Sequence, residues 1–143
     1  MKNVTELLKS KPAREMITVK PDDTVLDAIK VLAKEDIGAA AVVAGGKLVG
    51  IFSERDYTRK VVLQGRHSES TRVEEIMTAN VICVNPRTKT RDCMALMSEK
   101  GIRHLPVVEE GKVVGMVSIR DIVTDIIADQ DFTISQLEQY IVS

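Results

Sequence analysis

Apolar side chains recur every three or four positions in one early segment of the chain, which is the spacing of an amphipathic helix. Val25, Ala28, Ile29 and Leu32 fall on one face if residues 24–35 are helical. Polar and charged residues occupy most of the other positions, so the apolar face is the one expected to pack on a core. The pattern therefore predicts a helix with one buried side.

Apolar runs without this periodicity lie on either side of the predicted helix and indicate strands. Residues 39–44 and 47–52 form two such runs, and Gly45-Gly46 between them predicts a tight hairpin turn. A short apolar segment at 17–19 predicts a further strand, and residues 53–65 predict a second helix. The resulting order is strand, helix, strand, strand, helix.

The same order occurs a second time along the chain. Residues 18–56 align without a gap with residues 83–121 at a constant offset of 65, and 13 of the 39 aligned pairs are identical. Because chance similarity would not hold a single register, the chain contains a duplicated supersecondary unit. In the second copy, strands are predicted at 81–84, 104–108 and 112–117, and helices at 88–100 and 119–129.

The two units are expected to share one apolar core. A unit of about 40 residues buries too little apolar surface to be stable alone. The predicted division is a first repeat with an N-terminal helix and linker at 1–70, a second repeat at 71–130 and a helical tail at 131–143. Within the tail, a separate short helix is predicted at 135–142. The fold class is α/β, or α+β, with two tandem β-α-β-β-α repeats.

Composition and charge narrow the classes of function. The 143 residues include 20 basic and 21 acidic side chains, and only 3% are aromatic. Nucleic-acid-binding domains usually carry a basic excess and often stack bases on aromatic rings, so no nucleic-acid partner is expected. No apolar run approaches the roughly 20 residues that cross a bilayer. We therefore expect no membrane partner and a cytoplasmic location.

Cysteine and histidine residues show no pattern of a metal centre. Cys83 and Cys93 lack CxxC spacing, and His67 and His104 do not form an HExxH pair, so no metal is expected. Both cysteines are interpreted as small packing residues rather than a disulfide. The chain also lacks a nucleophile elbow and a phosphate-binding glycine loop, so no enzyme activity is expected.

Three kinds of segment carry a resemblance to a known family. They are Thr18-Val19-Lys20-Pro21 with Cys83-Val84-Asn85-Pro86, the run Gly101-Ile102-Arg103-His104-Leu105-Pro106-Val107-Val108, and Gly50–Asp56 with Gly115–Asp121. In these segments the chain resembles a pair of CBS domains, named after cystathionine β-synthase and often called a Bateman module. The resemblance covers about residues 5–130 and implies repeats related by pseudo-two-fold symmetry.

The resemblance implies a non-catalytic regulatory or energy-sensing module. Members of the family bind adenosine-containing ligands, among them AMP, ADP, ATP, S-adenosylmethionine and NAD, in clefts between the repeats. They also pair into disc-like homodimers and change the behaviour of a partner. We therefore expect a homodimer and an unidentified effector protein, with no partner domain in this chain because the duplication fills it.

The Ser-x-Arg-Asp motif, at 53–56 and 118–121, is open to two interpretations. Serine with aspartate three residues later is a helix-capping arrangement, which needs no ligand. Capping does not require the arginine that both copies share. In the functional interpretation, Asp56 or Asp121 accepts the two hydroxyls of a ribose and the arginine meets a phosphate.

The resemblance also implies a larger set of ligand contacts. The strand that opens each repeat would supply backbone groups and aliphatic walls to the base, although core packing also explains such residues. The segment that begins at Arg103 borders the base and the phosphates in the family. The implied ligand-binding residues are Ile17, Thr18, Lys20, Ser53, Arg55, Asp56, Ile82, Cys83, Arg103, His104, Pro106, Ser118, Arg120 and Asp121.

The two ligand clefts are expected to be unequal. The first repeat has Gly38-Ala39-Ala40-Ala41 where the second has Arg103-His104-Leu105-Pro106. Because the first repeat lacks these polar groups, the cleft at Asp121 is expected to be the better occupied one. Replacing Asp121 by alanine should then weaken binding more than replacing Asp56. The alternative is a structural or interaction module with vestigial sites, in which the tail helix packs on a neighbour.

Overall fold

The computed structural model describes residues 2–11 and 16–141, which form six α-helices, a π-helical turn and five strands within those ranges. Helices and strands are mixed, and the strands lie in two small sheets, as the predicted fold class requires. The elements in order are α1 (Val4–Lys9), β1 (Thr18–Val19), α2 (Val25–Glu35), β2 (Ala39–Ala44), β3 (Lys47–Ser53), α3 (Glu54–Tyr57), the π-helical turn (Thr58–Val62), α4 (Val73–Ile76), α5 (Thr90–Lys100), β4 (His104–Glu109), β5 (Lys112–Ser118) and α6 (Ile119–Ile141).

The two sheets repeat one arrangement. Strands β2 and β3 pair antiparallel with Ala39 opposite Ser53, and β4 and β5 pair with His104 opposite Ser118. Both hairpins have an irregularity at the same place, after Val42 in one and after Val107 in the other. The residue pairs are related by the offset of the sequence repeat, so the duplication seen in the sequence is also a duplication of structure.

The opening strand differs between the repeats. In the first, β1 runs parallel to β2 over two residue pairs. In the second, the strand predicted at 81–84 is reduced to one parallel bridge between Val84 and Val107. The amide of Val81 donates to the Ala79 carbonyl at 3.1 Å, which bends the chain into a turn and leaves only its end beside β4.

Left-handed residues end helices α2 and α5 and form the first hairpin turn, which the sequence predicts at Gly45-Gly46. Helix α2 ends at Asp36 with φ 53°, and α5 ends at Gly101 with φ 64°. The first hairpin turns through Gly45 and Gly46, both with positive φ. Two positive φ angles are the conformation of a type I′ turn, whose twist matches that of the flanking strands.

Two separate apolar cores hold the repeats, so the prediction of one shared core is wrong. Helix α1 packs on the core of the second repeat. The first core contains Val25, Leu32 and Phe52, all essentially inaccessible. The second contains Val4 and Leu7 of α1 together with residues of the second repeat. By position in the sequence α1 lies in the segment 1–70, whereas by packing it belongs with the second repeat.

The tail continues the last helix of the second repeat. The sequence predicts separate helices at 119–129 and 135–142, but α6 runs without a break from Ile119 to Ile141. Residues 130–134 contain neither glycine nor proline, so nothing in their backbone interrupts the helix. The prediction of two helices is wrong in this respect, and its last residue, Val142, lies outside the described residues.

Candidate functional site

A cleft of about 610 Å³ opens between the two repeats. One side consists of the end of β3 and the start of the following helical segment, and the other of the connection before Val84 and the start of β4. This volume lies within the range of small-molecule sites, about 300–1,000 Å³. Its lining residues are Gly38, Ile51, Ser53, Glu54, Arg55, Asp56, Arg59, Lys60, Thr78, Asn80, Val81, Ile82, Gly101, Ile102, Arg103 and His104.

Ser53 and Asp56 form a reciprocal cap at the edge of this cleft. The Asp56 amide donates to Ser53 Oγ at 3.0 Å, and Asp56 Oδ2 accepts from the Ser53 amide at 3.1 Å and from its hydroxyl at 2.9 Å. The capping interpretation of the motif is therefore confirmed for the first repeat. The cap also holds the carboxylate in one orientation, which a binding group requires.

Lys60 fixes the other oxygen of the same carboxylate. Its ammonium lies 3.1 Å from Asp56 Oδ1 and also donates to the Ile76 carbonyl at 3.1 Å. A carboxylate has about four lone-pair directions, so Asp56 still has one acceptor position, on Oδ1, beside its three described hydrogen bonds and ion pairs. That position can accept a hydroxyl group from a ligand.

Cationic side chains outnumber anionic ones around the cleft. Arg55, Arg59 and Arg103 are exposed, and none of their guanidinium groups makes a hydrogen bond or ion pair with another described residue. Together with Lys60 they oppose only the two carboxylates of Glu54 and Asp56. The excess of positive charge favours an anionic ligand, and guanidinium groups match the oxygens of a phosphate.

An apolar wall completes the cleft. Ile51, Val81, Ile82 and Ile102 are all half-buried and line it. Aliphatic side chains of this kind can cover a flat apolar ring without aromatic stacking. The cleft therefore offers an apolar surface, a hydroxyl acceptor and a cluster of cations to one ligand.

His104 lines the cleft and lies close to Gly38 of the other repeat. A Cβ built on Gly38 would lie 3.5 Å from its ring, an ordinary contact. Burial lowers the pKa of His104 below its usual range, with a smaller opposing effect from Asp121 and minor lowering by Arg103 and Lys11. The ring is therefore neutral near pH 7 and can donate through one nitrogen and accept through the other.

The second copy of the motif has the same local geometry but a different partner. The Ser118 amide donates to Asp121 Oδ2 at 2.8 Å, and the Asp121 amide donates to Ser118 Oγ at 3.1 Å. The same Oδ2 lies 2.9 Å from the ammonium of Lys11, a residue just after α1. Capping is thus confirmed in both copies, and an N-terminal lysine neutralises the second carboxylate.

The cleft brings together only some of the residues implied by the family resemblance. Six of them line it: Ser53, Arg55, Asp56, Ile82, Arg103 and His104. The sequence predicts that the segment beginning at Arg103 belongs to the cleft at Asp121. In the structure Arg103 and His104 line the cleft with Asp56, and His104 also lies close enough to Asp121 for that carboxylate to affect its pKa. The grouping differs because the repeats face one another, so a cleft combines the helix start of one repeat with the strand start of the other.

The other implied residues lie outside this cleft. Pro106 is buried in β4, where its carbonyl accepts from the Val84 amide at 3.0 Å. Ile17 is half-buried, and Thr18 and Lys20 are exposed in and after β1. The remaining members of this group are Cys83, Ser118, Arg120 and Asp121.

The two cysteines are unpaired, but only one of them is a packing residue. Cys93 is fully buried in the second core, and burial raises the pKa of its thiol. Cys83 is exposed, because it lies in the extended stretch just before the single bridge at Val84. The interpretation of Cys83 as a packing residue is therefore wrong.

Several residues of the cleft were not identified from the sequence. Lys60 follows Asp56 by four positions, and that spacing is a recognised signal for an ion pair on a helix. Arg59 lies next to it and has no comparable signal. The contact of Lys11 with Asp121 spans 110 positions and depends entirely on the packing of α1.

Comparison with known proteins gives matches along most of the chain. Residues 4–63 and 73–128 match the CBS domain. The mitochondrial CBS domain-containing protein CBSX3 of Arabidopsis thaliana is 43% identical over 125 residues, a match covering 84% of this chain and 61% of that protein. This chain therefore spans less than two thirds of the length of that relative.

Solved structures show the same architecture. A protein with CBS domains from Burkholderia ambifaria MC40-6 is 53% identical, with a TM-score of 0.86 over 90% of this chain and 96% of that one. The CBS domain pair of protein MJ0100, solved in complex with 5′-methylthioadenosine and S-adenosyl-L-methionine, is 28% identical with a TM-score of 0.78, over 90% of this chain and 98% of that one. With two matched domains in one chain and the duplicated fold described above, this protein belongs to the CBS domain family.

Proposed function

We propose that this chain is a non-catalytic regulatory module that binds an adenine nucleotide, either AMP, ADP, ATP or NAD, in the cleft at Asp56. The observation that carries the proposal is the composition of that cleft. An apolar wall, a fixed carboxylate and three arginines without described partners surround one volume of about 610 Å³. These groups complement the base, the ribose and the phosphate of a nucleotide in turn.

The relative that binds adenosine compounds supports the class of ligand. MJ0100 holds 5′-methylthioadenosine and S-adenosyl-L-methionine, neither of which carries a phosphate. In this chain, the excess of cations around the cleft favours a phosphorylated adenosine over both of those compounds. Arg55, Arg59 and Arg103 are the groups proposed to bind the phosphate, through charge-assisted hydrogen bonds.

A ligand series tests this proposal. Thermal unfolding would be measured with AMP, ADP, ATP, NAD, adenosine, 5′-methylthioadenosine and S-adenosylmethionine. A ligand at 100 times its Kd adds about 2.7 kcal/mol to the free energy of unfolding, a shift of several degrees. We expect the phosphorylated compounds to give the larger shifts, with a Kd then measured by calorimetry. No shift with any of them would refute nucleotide binding.

A role as an interaction module is the second candidate, and the surface of α6 favours it. Val123, Ile127, Ile134 and Leu137 are each about half exposed along this helix. A second copy of the chain or an effector protein could cover such a surface. Sedimentation of the full chain and of residues 1–130 tests this role, because loss of self-association on truncation would support a homodimer through the tail.

We place the protein in the cytoplasm as part of this proposal. The support is chemical, since both cysteines are free, and unpaired thiols suit a reducing compartment. Within the described residues, no helix has the length and apolar character needed to cross a membrane. Fractionation of cells with antibodies against the chain would test the location.

A further inference from the structure

A stripe of apolar side chains lies exposed along α6. Val123 and Ile127 are 45% and 52% exposed, and Ile134 and Leu137 are 53% and 55% exposed. The same helix buries a different face against its own fold, where Ile122 is part of the second core. The stripe is therefore a second apolar face, which no described residue of this chain covers.

The stripe has the spacing of a coiled-coil helix. Its four apolar residues, with Gln130 between them, follow one another at intervals of four, three, four and three residues. This alternation is that of the a and d positions of a heptad, where one helix packs against another. Ile127 and Ile134 occupy the a positions, and Val123, Gln130 and Leu137 occupy the d positions. These five residues form the seam of α6, and their spacing indicates another α-helix as the partner.

The charge beside the seam is acidic. Asp131 and Glu138 occupy the e positions next to it, and both are exposed. Neither makes a hydrogen bond or ion pair with another described residue. Residues 121–143 contain five acidic residues and no basic one. Because ion pairs at the e and g positions determine the choice of partner in coiled coils, the seam favours a helix with lysine or arginine at these positions.

A second copy of α6 fits the seam less well than a basic helix does. In an antiparallel pair the e positions of the two helices face each other, so Asp131 and Glu138 would meet the same acidic residues of the other copy. In a parallel pair each e position faces a g position, and the g positions 126 and 133 carry no charge. The first arrangement is repulsive and the second forms no ion pair. A basic helix gains ion pairs in either orientation.

The fold holds the start of the seam in place. The Asp121 amide donates to Ser118 Oγ at 3.1 Å, which caps the first turn of α6. One turn later, the ammonium of Lys2 lies 2.6 Å from Asp125 Oδ1, and it also lies 3.7 Å from Asp129 Oδ1. Because α6 is already helical and anchored, a partner helix binds it without first having to order it.

We propose that the seam of α6 binds a basic amphipathic helix of an effector protein. Apolar side chains of that helix pack on Ile127, Ile134 and Leu137, and its lysines or arginines pair with Asp131 and Glu138. The inference rests on the proposed role as an interaction module and names the chemistry of the partner. The seam is separate from the nucleotide cleft, whose lining residues all lie between positions 38 and 104.

Two synthetic peptides of equal length test the proposal. Both carry isoleucine at a and leucine at d, and one has lysine and the other glutamate at every e and g position. Their affinities for the full chain would be measured by fluorescence anisotropy. We expect the lysine peptide to bind about tenfold more tightly, and the difference to shrink in about 0.5 M NaCl because salt screens exposed charges. Equal affinities at low salt, or no binding of either peptide, would overturn the proposal.

Exposed substitutions in the chain locate the binding surface. Ile134→Ser combined with Leu137→Ser should weaken binding of the lysine peptide about tenfold or more, because both contacts lose buried apolar area. Leu63→Ser, at a leucine that is 73% exposed outside α6, is the matched control and should bind as the wild type does. Asp131→Lys combined with Glu138→Lys should reverse the preference in favour of the glutamate peptide. An unchanged preference, or an equal loss in Leu63→Ser, would contradict the proposal.

Sedimentation of the same proteins separates this inference from the proposed function. We expect Ile134→Ser combined with Leu137→Ser to have the same mass in solution as the wild type. A wild-type dimer that this double substitution dissociates would show that a second copy covers the seam, which would overturn the basic partner and leave the role as an interaction module standing. If no peptide binds and the masses are equal, both this inference and that role of α6 are refuted. Nucleotide binding is tested separately by the ligand series.

Discussion

The two repeats hold the same serine and aspartate in the same capping geometry, yet the carboxylates have partners from different parts of the fold. Asp56 is paired with Lys60 from its own helical segment. Asp121 is paired with Lys11, which lies near the N-terminus, before the opening strand of the first repeat. Around Asp56 the side chains are mainly cationic, whereas Asp121 has a second acid one turn away. The comparison shows that a motif determines local geometry, while the packing of distant segments determines its chemistry.

Exchange of each aspartate for asparagine should separate the two sites most clearly. Asp56→Asn removes the anionic acceptor proposed for the ribose, and hydrogen bonds to charged groups contribute about 1.5–3 kcal/mol, so AMP should bind roughly 10- to 100-fold more weakly. Asp121→Asn should change the Kd for AMP less than about twofold, since Asp121 does not line the cleft proposed for AMP. Calorimetric titration measures both, and a greater loss in Asp121→Asn would restore the ranking expected from the sequence.

Equivalent glycines beside the two sites should differ in their tolerance of a side chain. A Cβ on Gly50 would lie 2.6 Å from Met77 Sδ and 2.9 Å from the Thr78 carbonyl oxygen, whereas one on Gly115 would meet only side-chain carbons of Leu8, the nearest at 2.8 Å. Backbone cannot yield as a leucine terminus can, so Gly50→Ala should lower the free energy of unfolding by about 2 kcal/mol and Gly115→Ala by less than about 1 kcal/mol. Urea denaturation measures both, and equal losses would contradict the comparison.

The charge of the first cleft should affect nucleotides and leave nucleosides unaffected. Arg103→Met removes an exposed cation, which contributes about 1 kcal/mol or less when solvent screens it, so AMP should bind about fivefold more weakly. Adenosine should bind equally well to the wild type and to Arg103→Met. Arg87→Met, the same charge change outside the cleft, is the control for net charge. An equal effect on adenosine would show that Arg103 acts on the shape of the cleft rather than on a phosphate.

Acidification should destabilise the region where the two repeats meet. Because burial lowers the pKa of His104, the unfolded chain binds a proton more readily than the folded one. The stability contributed by the neutral ring is present above pH of about 6.5 and falls as the pH decreases toward the folded-state pKa, by at most about 1.4 kcal/mol per pH unit. The Tm of His104→Gln should decline less from pH 7.5 to 5.5 than that of the wild type or of the control His67→Gln. Parallel declines in all three would contradict this account.

Much of the fold could be predicted from the sequence because it depends on local pattern. The αL ends of α2 and α5 and both caps follow from residue type and spacing. The strand predicted at 81–84 is longer than the single bridge at Val84 that the structure has, because its apolar residues do not reveal the turn at Val81. The break predicted in α6 was also wrong, since apolar spacing alone cannot show that a helix continues across residues 130–134.

The site was less predictable because it is assembled across the repeats. The sequence indicates Ser53 and Asp56, and it also indicates Arg103 and His104, but no local signal shows that these two pairs face one another. The position of Lys11 depends on where α1 packs, which is a tertiary property. Contacts between distant segments are therefore the part of the site that spacing could not supply.

The packing of α1 on the second core has a consequence for the order of synthesis. Thr5 and Pro86, which are joined by a hydrogen bond, lie 81 positions apart. The members of the first core lie between Val19 and Met77, so all of them are made before the strands of the second repeat. Helix α1 leaves the ribosome first, yet its apolar face is covered only after β5 and α6 have emerged. Contacts across so many positions form slowly, so Val4 and Leu7 of the nascent chain stay uncovered until the second repeat has folded.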